Sequence, residues 1–232
     1  MAINVRPGIV TNGLVLALDA ANPRSYPKSG TVWNDLSGNN NSGSLVNGPT
    51  FSPANGGSIV FDGVNDYVYM GNPSVTTQIT VETFIRVDTS NIAGSFVASY
   101  LLGRENSFRI LMFTSSITWV CATTNNSWYS TGTAVNSPTV NINNTWNHVL
   151  ATYDGTKNSL YLNGTLIVTG SSISGNLRAP TDDFGLMNTH AAAAGNVTNC
   201  KGTTSVFRLY NRALSAQEVQ QNYIATKARF GL

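Results

Sequence analysis

Charge is what the 232-residue sequence has least of: Asp, Glu, Lys and Arg make up 10% of it, against roughly 25% in ordinary soluble domains. Thirteen basic and eleven acidic side chains leave a net charge of +2, with no Lys/Arg run to neutralise a row of phosphates, so nucleic acid is not an expected partner. Long apolar runs are missing too. None approaches the ~20 residues that span a bilayer, and no charged segment followed by an apolar one opens the chain, so neither membrane insertion nor a secretory address is expected. Histidine occurs twice, and glutamate only at Glu82, Glu105 and Glu218. Two cysteines, Cys121 and Cys200, are too few for a disulfide framework and lack metal-ligand spacing, which leaves free thiols or one bridge.

What the chain has in quantity is asparagine, 28 residues of it, so its surface is neutral and polar rather than ionic. Five Asn-x-Ser/Thr triplets, beginning at Asn40, Asn125, Asn143, Asn163 and Asn196, are the chance matches that this much Asn generates. The length suits one large domain or two small ones and allows a sizeable core without staples. There is no internal repeat and no dividing linker, so the expected organisation is an arm over residues 1–12, carrying a Pro-Gly pair at Pro7 and Gly8, and one domain over residues 13–232. The arm would lie over a neighbouring subunit or form a simple edge strand.

Short apolar runs separated by Gly, Asn, Asp and Ser clusters predict many short strands joined by turns. Strands are expected at Leu14 to Leu18, Ser58 to Phe61, Tyr67 to Met70, Ile79 to Val87, Phe108 to Phe113, Ile117 to Ala122, Trp146 to Tyr153, Leu160 to Leu162, Thr165 to Thr169, Phe184 to Met187 and Val206 to Tyr210. In Ile79 to Val87, Ile79, Val81, Ile85 and Val87 alternate with Thr80, Glu82 and Arg86, which predicts one face on a core and the other in water. Asn163-Gly164 predicts a type I′ hairpin turn. One helix is expected near the C-terminus, where Ser215 and Glu218 form a capping box and Ala216, Val219 and Tyr223 an apolar stripe. About ten or more antiparallel strands and one short C-terminal helix favour an all-β, two-sheet sandwich, with a barrel as the alternative.

The motifs Trp33-Asn34-Asp35-Leu36-Ser37-Gly38-Asn39, Phe61-Asp62-Gly63-Val64-Asn65-Asp66-Tyr67-Val68, Trp146-Asn147-His148-Val149 with Thr152-Tyr153-Asp154-Gly155, Leu160-Tyr161-Leu162-Asn163-Gly164, and Arg208-Leu209-Tyr210-Asn211-Arg212-Ala213-Leu214-Ser215 follow one another in order. Their succession, from Gly13 to Tyr223, resembles the laminin-G-like, concanavalin A-like lectin/glucanase family, whose fold is an antiparallel jelly-roll β-sandwich. The opening Gly13-Leu14-Val15-Leu16-Ala17-Leu18-Asp19-Ala20 with Ser25-Tyr26-Pro27, and the closing residues 225–232, resemble the version found in structural proteins of tailed bacteriophages, notably marine ones. That resemblance implies a virion protein assembled in the host cytoplasm, decorating the head or sitting in a fibre or tail. It would contact other virion proteins and copies of itself as a homo-oligomer.

Several motif residues carry structural expectations: Phe61 and Tyr67 bury their rings against the opposite sheet, Asp62 and Asp66 form turns, His148 is a hydrogen-bonded strand residue, and Arg208 and Arg212 fix the C-terminal helix. Chemistry is thinly supplied. A glycosidase needs two carboxylates flanking the scissile bond, and none of the three glutamates has an acidic partner two residues away on a strand; no nucleophile motif accompanies either histidine. The expectation is a non-enzymatic protein with no cofactor. Calcium is the alternative: similarity to the pentraxin branch implies metal ligands at Glu105, Asn106 and Asn188, near His190, although Ser205 and Val206 stand where many relatives have an acidic pair. The best glycan candidate is the stretch Thr123 to Gly132, whose Asn125, Asn126, Trp128 and Tyr129 offer the amides and aromatic faces that hold a neutral sugar such as a host surface polysaccharide.

Overall fold

The computed structural model describes residues 7–92, 98–104, 106–127, 133–181, 183–188 and 197–232. Within them run β1 (Leu14–Asp19), β2 (Val32–Trp33), β3 (Gly43–Val46), β4 (Thr50–Ser52), β5 (Ser58–Asp62) and β6 (Tyr67–Tyr69). The middle of the chain supplies β7 (Ile79–Val87), β8 (Ala98–Arg104), β9 (Phe108–Met112), β10 (Ile117–Cys121) and β11 (Ala134–Asn136). Then come β12 (Trp146–Tyr153), β13 (Asn158–Leu162), β14 (Thr165–Thr169), β15 (Gly185–Leu186), β16 (Val197–Asn199) and β17 (Lys201–Tyr210), with helix α1 (Ala216–Thr226) and a 3-10 turn (Lys227–Phe230) at the end.

These strands form two sheets. The first has the order β14-β13-β12-β7-β17-β5-β4, with β1 also on β17; the second runs β11-β10-β9-β8-β15-β6-β3-β2, with β16 on β8. Pairing is antiparallel, as expected, apart from the short β16, which lies parallel to β8. The registers align the core in rows, as the two-residue period of a strand requires. Leu45, Val68, Leu186, Leu102, Ile110, Trp119 and Val135 make one row across the second sheet. Facing it, Val168, Leu160, Ala151, Val81, Leu209 and Leu16 make one across the first. Burial of each large apolar side chain in such rows is worth about 1.5–3 kcal/mol. Trp119, fully buried, keeps its indole N–H satisfied by donating to Thr152 O and Asn158 Oδ1, both at 3.1 Å.

The outer face of β7 departs from expectation. Thr80 and Glu82 are fully buried rather than wet, because α1 and the 3-10 turn lie over this sheet; only Arg86 of the alternating polar set reaches solvent. Tyr161, Leu150, Glu82, Arg208 and Ala17 form the covered row, and Leu150, Tyr161, Tyr210 and Val219 pack together on the same side. The helix starts as its sequence predicts: Ser215 Oγ accepts from Glu218 N at 3.3 Å and Glu218 Oε2 accepts from Ser215 N at 2.9 Å. Arg212 grips Glu218 through two nitrogens at 2.8 and 2.6 Å, and Arg208 Nη2 donates to Thr226 Oγ1 at 3.1 Å, so both arginines fasten the helix. Residues 7–12 pass beside α1, where Val10 N donates to Asn222 Oδ1 at 2.8 Å and Gln221 Nε2 to Gly8 O at 2.7 Å.

Other motif residues find local causes. Asp35 accepts four bonds, from Ala17 N, Ser37 N, Ser37 Oγ and Asn41 N, and so pins the loop after the buried Trp33. Asp62 and Asp66 do form a turn, accepting from Val64 N and Asp62 N respectively. Phe61 is in the core, but Tyr67 is only half-buried: its neighbour Val68 takes the inward position on β6, which turns Tyr67 to the outer face. Both cysteines are free and buried. Asn163, with φ of 51°, and Gly164, with φ of 77°, make the hairpin between β13 and β14 as predicted.

Candidate functional site

Four connections meet at one end of the sandwich: residues 70–78 between β6 and β7, the turn between β8 and β9, the segment after β10, and residues 170–184 between β14 and β15. Backbone bonds knit them. Arg178 N donates to Ala122 O at 3.0 Å, Thr124 N to Asn176 O at 2.8 Å and Leu177 N to Thr76 O at 2.8 Å, and Thr123 bridges Leu177 as an isolated antiparallel pair. Gly175 is required at the crossing. Its φ is +103°, and a Cβ there would stand 2.5 Å from Thr124 Oγ1.

This lattice encloses two adjoining clefts. One, of about 530 Å³, is lined by residues 72–76, Arg104, Thr124 and residues 176–180; the other, of about 580 Å³, by Thr123, Thr124, Asn125, Ser127, Arg178 and Ala179. They share Thr124, Arg178 and Ala179, so Arg178 lines both. Arg178 is exposed, and its side chain has no hydrogen-bond or ion-pair partner among the described residues. Arg104 is 2% exposed in the cleft wall and donates from Nη1 to Pro73 O at 3.3 Å. No described lining residue carries a carboxylate. Thr124, Asn125, Ser127 and Asn176 bring hydroxyl and amide groups to a lining that also holds Pro73, Val75, Leu177 and Pro180, a mixture that suits a ligand with both hydroxyls and an apolar face.

The expected sugar ligands divide between roles. Asn125 is exposed on the rim, its Nδ2 donating to Ser174 Oγ at 3.2 Å. Asn126 is spent on the loop itself: its Oδ1 accepts from Thr123 Oγ1 and Ser174 N, both at 3.2 Å, and its N donates to Thr123 Oγ1 at 3.1 Å. Trp128 and Tyr129 lie outside the described residues. Of the expected metal ligands, Glu105 and His190 also lie outside them. Asn106, with φ of 62°, sits in the turn beyond Arg104 and offers Nδ2 to Thr181 Oγ1 at 3.4 Å. Asn188 lies beyond Leu101 at the opposite end of the β8–β15 ladder, so Asn106 and Asn188 are not brought together. Among the described residues no three His, Cys, Asp or Glu side chains form a metal-holding group. Asp183 accepts from the Tyr69 hydroxyl at 3.1 Å.

Arg178, Arg104 and Asn176 escaped the sequence reading because each is a lone residue in unpatterned loop sequence, without a motif to single it out. The reading also missed a second constellation. Glu82 Oε1 receives Arg208 Nη1 at 2.8 Å and pairs with His148 Nε2 at 3.1 Å, while Oε2 accepts from Asn222 Nδ2 at 2.7 Å. Burial raises the Glu82 carboxyl, but Arg208, His148 and Asn222 together outweigh it and hold the group below its ordinary value. With both Glu82 and His148 fully buried beneath α1, this cluster cannot meet a substrate and acts as a structural tie.

The family model Laminin_G_3, described as Concanavalin A-like lectin/glucanases superfamily, matches residues 62–220. Comparison with curated protein sequences finds no match. Among solved structures, the chain is similar to the binding domain of Paraclostridial Mosquitocidal Protein 1, at 16% identity and TM-score 0.69, covering 92% of this chain and 52% of that one. It is also similar to domain 4 of AbnA, a GH43 extracellular arabinanase from Geobacillus stearothermophilus solved with arabinotriose, at 12% identity and TM-score 0.64, covering 90% and 98%. A third is the botulinum neurotoxin serotype D ligand binding domain in complex with N-acetylneuraminic acid, at 11% identity and TM-score 0.66, covering 92% and 51%. The chain thus spans about half the length of the first and third. At these identities the likeness establishes the fold alone.

Proposed function

From the premise that the chain belongs to the Concanavalin A-like lectin/glucanases superfamily, we propose that it is a non-enzymatic, lectin-like domain that binds carbohydrate in the paired clefts around Thr124. The observation that carries this is the make-up of the clefts: about 530 and 580 Å³ of open volume, bordered by Thr124, Asn125, Ser127 and Asn176 with no carboxylate among the described lining. A saccharide needs such donors and acceptors, whereas glycosidic cleavage needs two carboxylates. Glu82 is buried under α1 and Glu218 is held by Arg212, so neither is placed for that chemistry. The solved neighbours that carry arabinotriose or N-acetylneuraminic acid in their descriptions agree with a sugar ligand. Glycan-array binding that is lost in Asn125→Ala and Trp128→Ala supports the reading. Polysaccharide cleavage abolished by Glu105→Gln defeats it.

The finer reading is that this domain is a virion component of a tailed phage, in head decoration, fibre or tail, where it meets host surface polysaccharide beside other virion proteins and copies of itself. Its support is the phage-like sequence at residues 13–27 and 225–232, together with the low charge that favours close neutral packing. Mass spectrometry of purified particles tests it: finding the chain in stoichiometric amount supports the reading, and its absence removes it.

A further inference from the structure

The proposed sugar seat carries one feature that recognition of a neutral sugar does not require. Arg178 lines both clefts, exposed and without a side-chain partner among the described residues. Its backbone is not free to drift, because Arg178 N is bonded to Ala122 O at 3.0 Å and Leu177, its neighbour, is 6% exposed and bonded to Thr76 O. The backbone is anchored while the side chain is left unpaired, and a guanidinium offers a planar fork of donors whose geometry matches a carboxylate. A second guanidinium, Arg104, stands in the wall of the same cleft, and Thr124, Asn125 and Asn176 offer hydroxyl and amide groups within the described lining.

We infer that the clefts select a saccharide bearing a carboxylate, of the uronic or nonulosonic acid class, with Arg178 taking the carboxylate and the neutral rim taking the hydroxyls. This inference rests on the sugar-binding reading and narrows its ligand. The sugar's ring and hydroxyl contacts would be shared by neutral and acidic sugars alike, so Arg178 acts as a specificity-determining residue.

The test is a glycan array that carries neutral oligosaccharides, the same oligosaccharides oxidised to uronates, the methyl esters of those uronates, and oligosialic acid. Signal is expected on the carboxylate-bearing probes, at least tenfold above their neutral and esterified counterparts, and it should fall as salt is raised. Arg178→Gln should remove that preference while a thermal melt stays unchanged, since the side chain holds no partner in the fold; Arg178→Lys should restore part of it. Equal binding of neutral and acidic probes, or a preference that survives Arg178→Gln, overturns the inference and leaves the sugar-binding reading standing. Silence across the whole array counts against both.

Discussion

Glu82 on β7 and Arg208 on β17 are direct cross-strand partners, with Arg208 Nη1 at 2.8 Å from a carboxylate that no solvent reaches. Their bond sits between the sheet and α1, and Asn222 of the helix takes the second oxygen of the same carboxylate at 2.7 Å. Breaking one side of a buried ion pair strands the other charge and costs about 3–5 kcal/mol. Glu82→Gln is therefore expected to lower unfolding free energy by that amount, read as a reduced urea midpoint. A midpoint within 0.5 kcal/mol equivalents of the parent, about the size of a surface change, would contradict the role given to this pair.

Acid should loosen the fold at both ends of β7. Glu82 is held below its ordinary value, and Glu218 is brought down to about 2, chiefly by the Arg212 hydrogen bond. Asp88 is likewise brought to about 2, through the Ser90 hydrogen bond first and Lys201 after it. A carboxyl whose pKa is lower folded than unfolded stabilises the fold above its unfolded value, and that contribution is lost as pH falls through the folded value. Stability should thus decline from about pH 4.5 towards pH 2. Glu218→Gln should flatten part of that slope in pH-dependent chemical denaturation, and an unchanged slope would remove Glu218 from the account.

Much of the architecture was legible because most strands turn one face to the core and the other away from it. Ile79–Val87, Trp146–Tyr153 and Thr165–Thr169 begin and end where alternation and turn residues place them. The short strands Val32–Trp33, Gly43–Val46, Thr50–Ser52 and Ala134–Asn136 were not, since two to four residues carry too little pattern to stand out from loops. The wetness expected for Glu82 was wrong for a tertiary reason: alternation shows which residues share a face, and what covers that face is decided by α1, more than 130 residues away. At the site the limit was similar. Asn125 and Asn126 could be picked out as amides near aromatics, but which of them faces a ligand depends on Ser174 and Gly175 from another connection.

The β13–β14 hairpin offers a test of close approach. Gly164 has φ of +77°, and a Cβ there would overlap Gln220 Oε1 and come within 2.7 Å of Tyr223 Cδ1 on α1. Left-handed strain and helix displacement then add, so Gly164→Ala should cost more than the ~1 kcal/mol of the backbone effect alone. Its thermal midpoint should fall, and truncating Gln220 alongside it should recover part of the loss. Equal stability of Gly164→Ala and the parent would refute the approach of turn to helix.

Cys121 and Cys200 lie in the core, and burial alone pushes the Cys121 thiol far above its ordinary value and that of Cys200 to about 12. The reactive species is the thiolate. Neither cysteine should therefore take up iodoacetamide in the native protein at pH 8, while both should react in denaturant. Rapid native labelling of either would mean that its surroundings open more readily than the sheet registers imply.

Asn126 separates the architecture of the cleft from its contacts. Its side-chain oxygen holds Thr123 and Ser174 together, joining the segment after β10 to the one after β14. Asn126→Ala removes two neutral acceptor bonds, each worth about 0.5–1.5 kcal/mol. The fold should survive with an unfolding free energy lower by about 1–3 kcal/mol, while Thr124 and Asn125 lose their fixed positions on the rim. Saccharide affinity should drop by more than the exposed Asn125→Ala change alone produces, because the loop must be ordered anew on each binding event. Isothermal titration with the saccharide found on the array, compared across both variants, checks this. If Asn126→Ala weakens binding less than Asn125→Ala does, the loop is not the scaffold of the site.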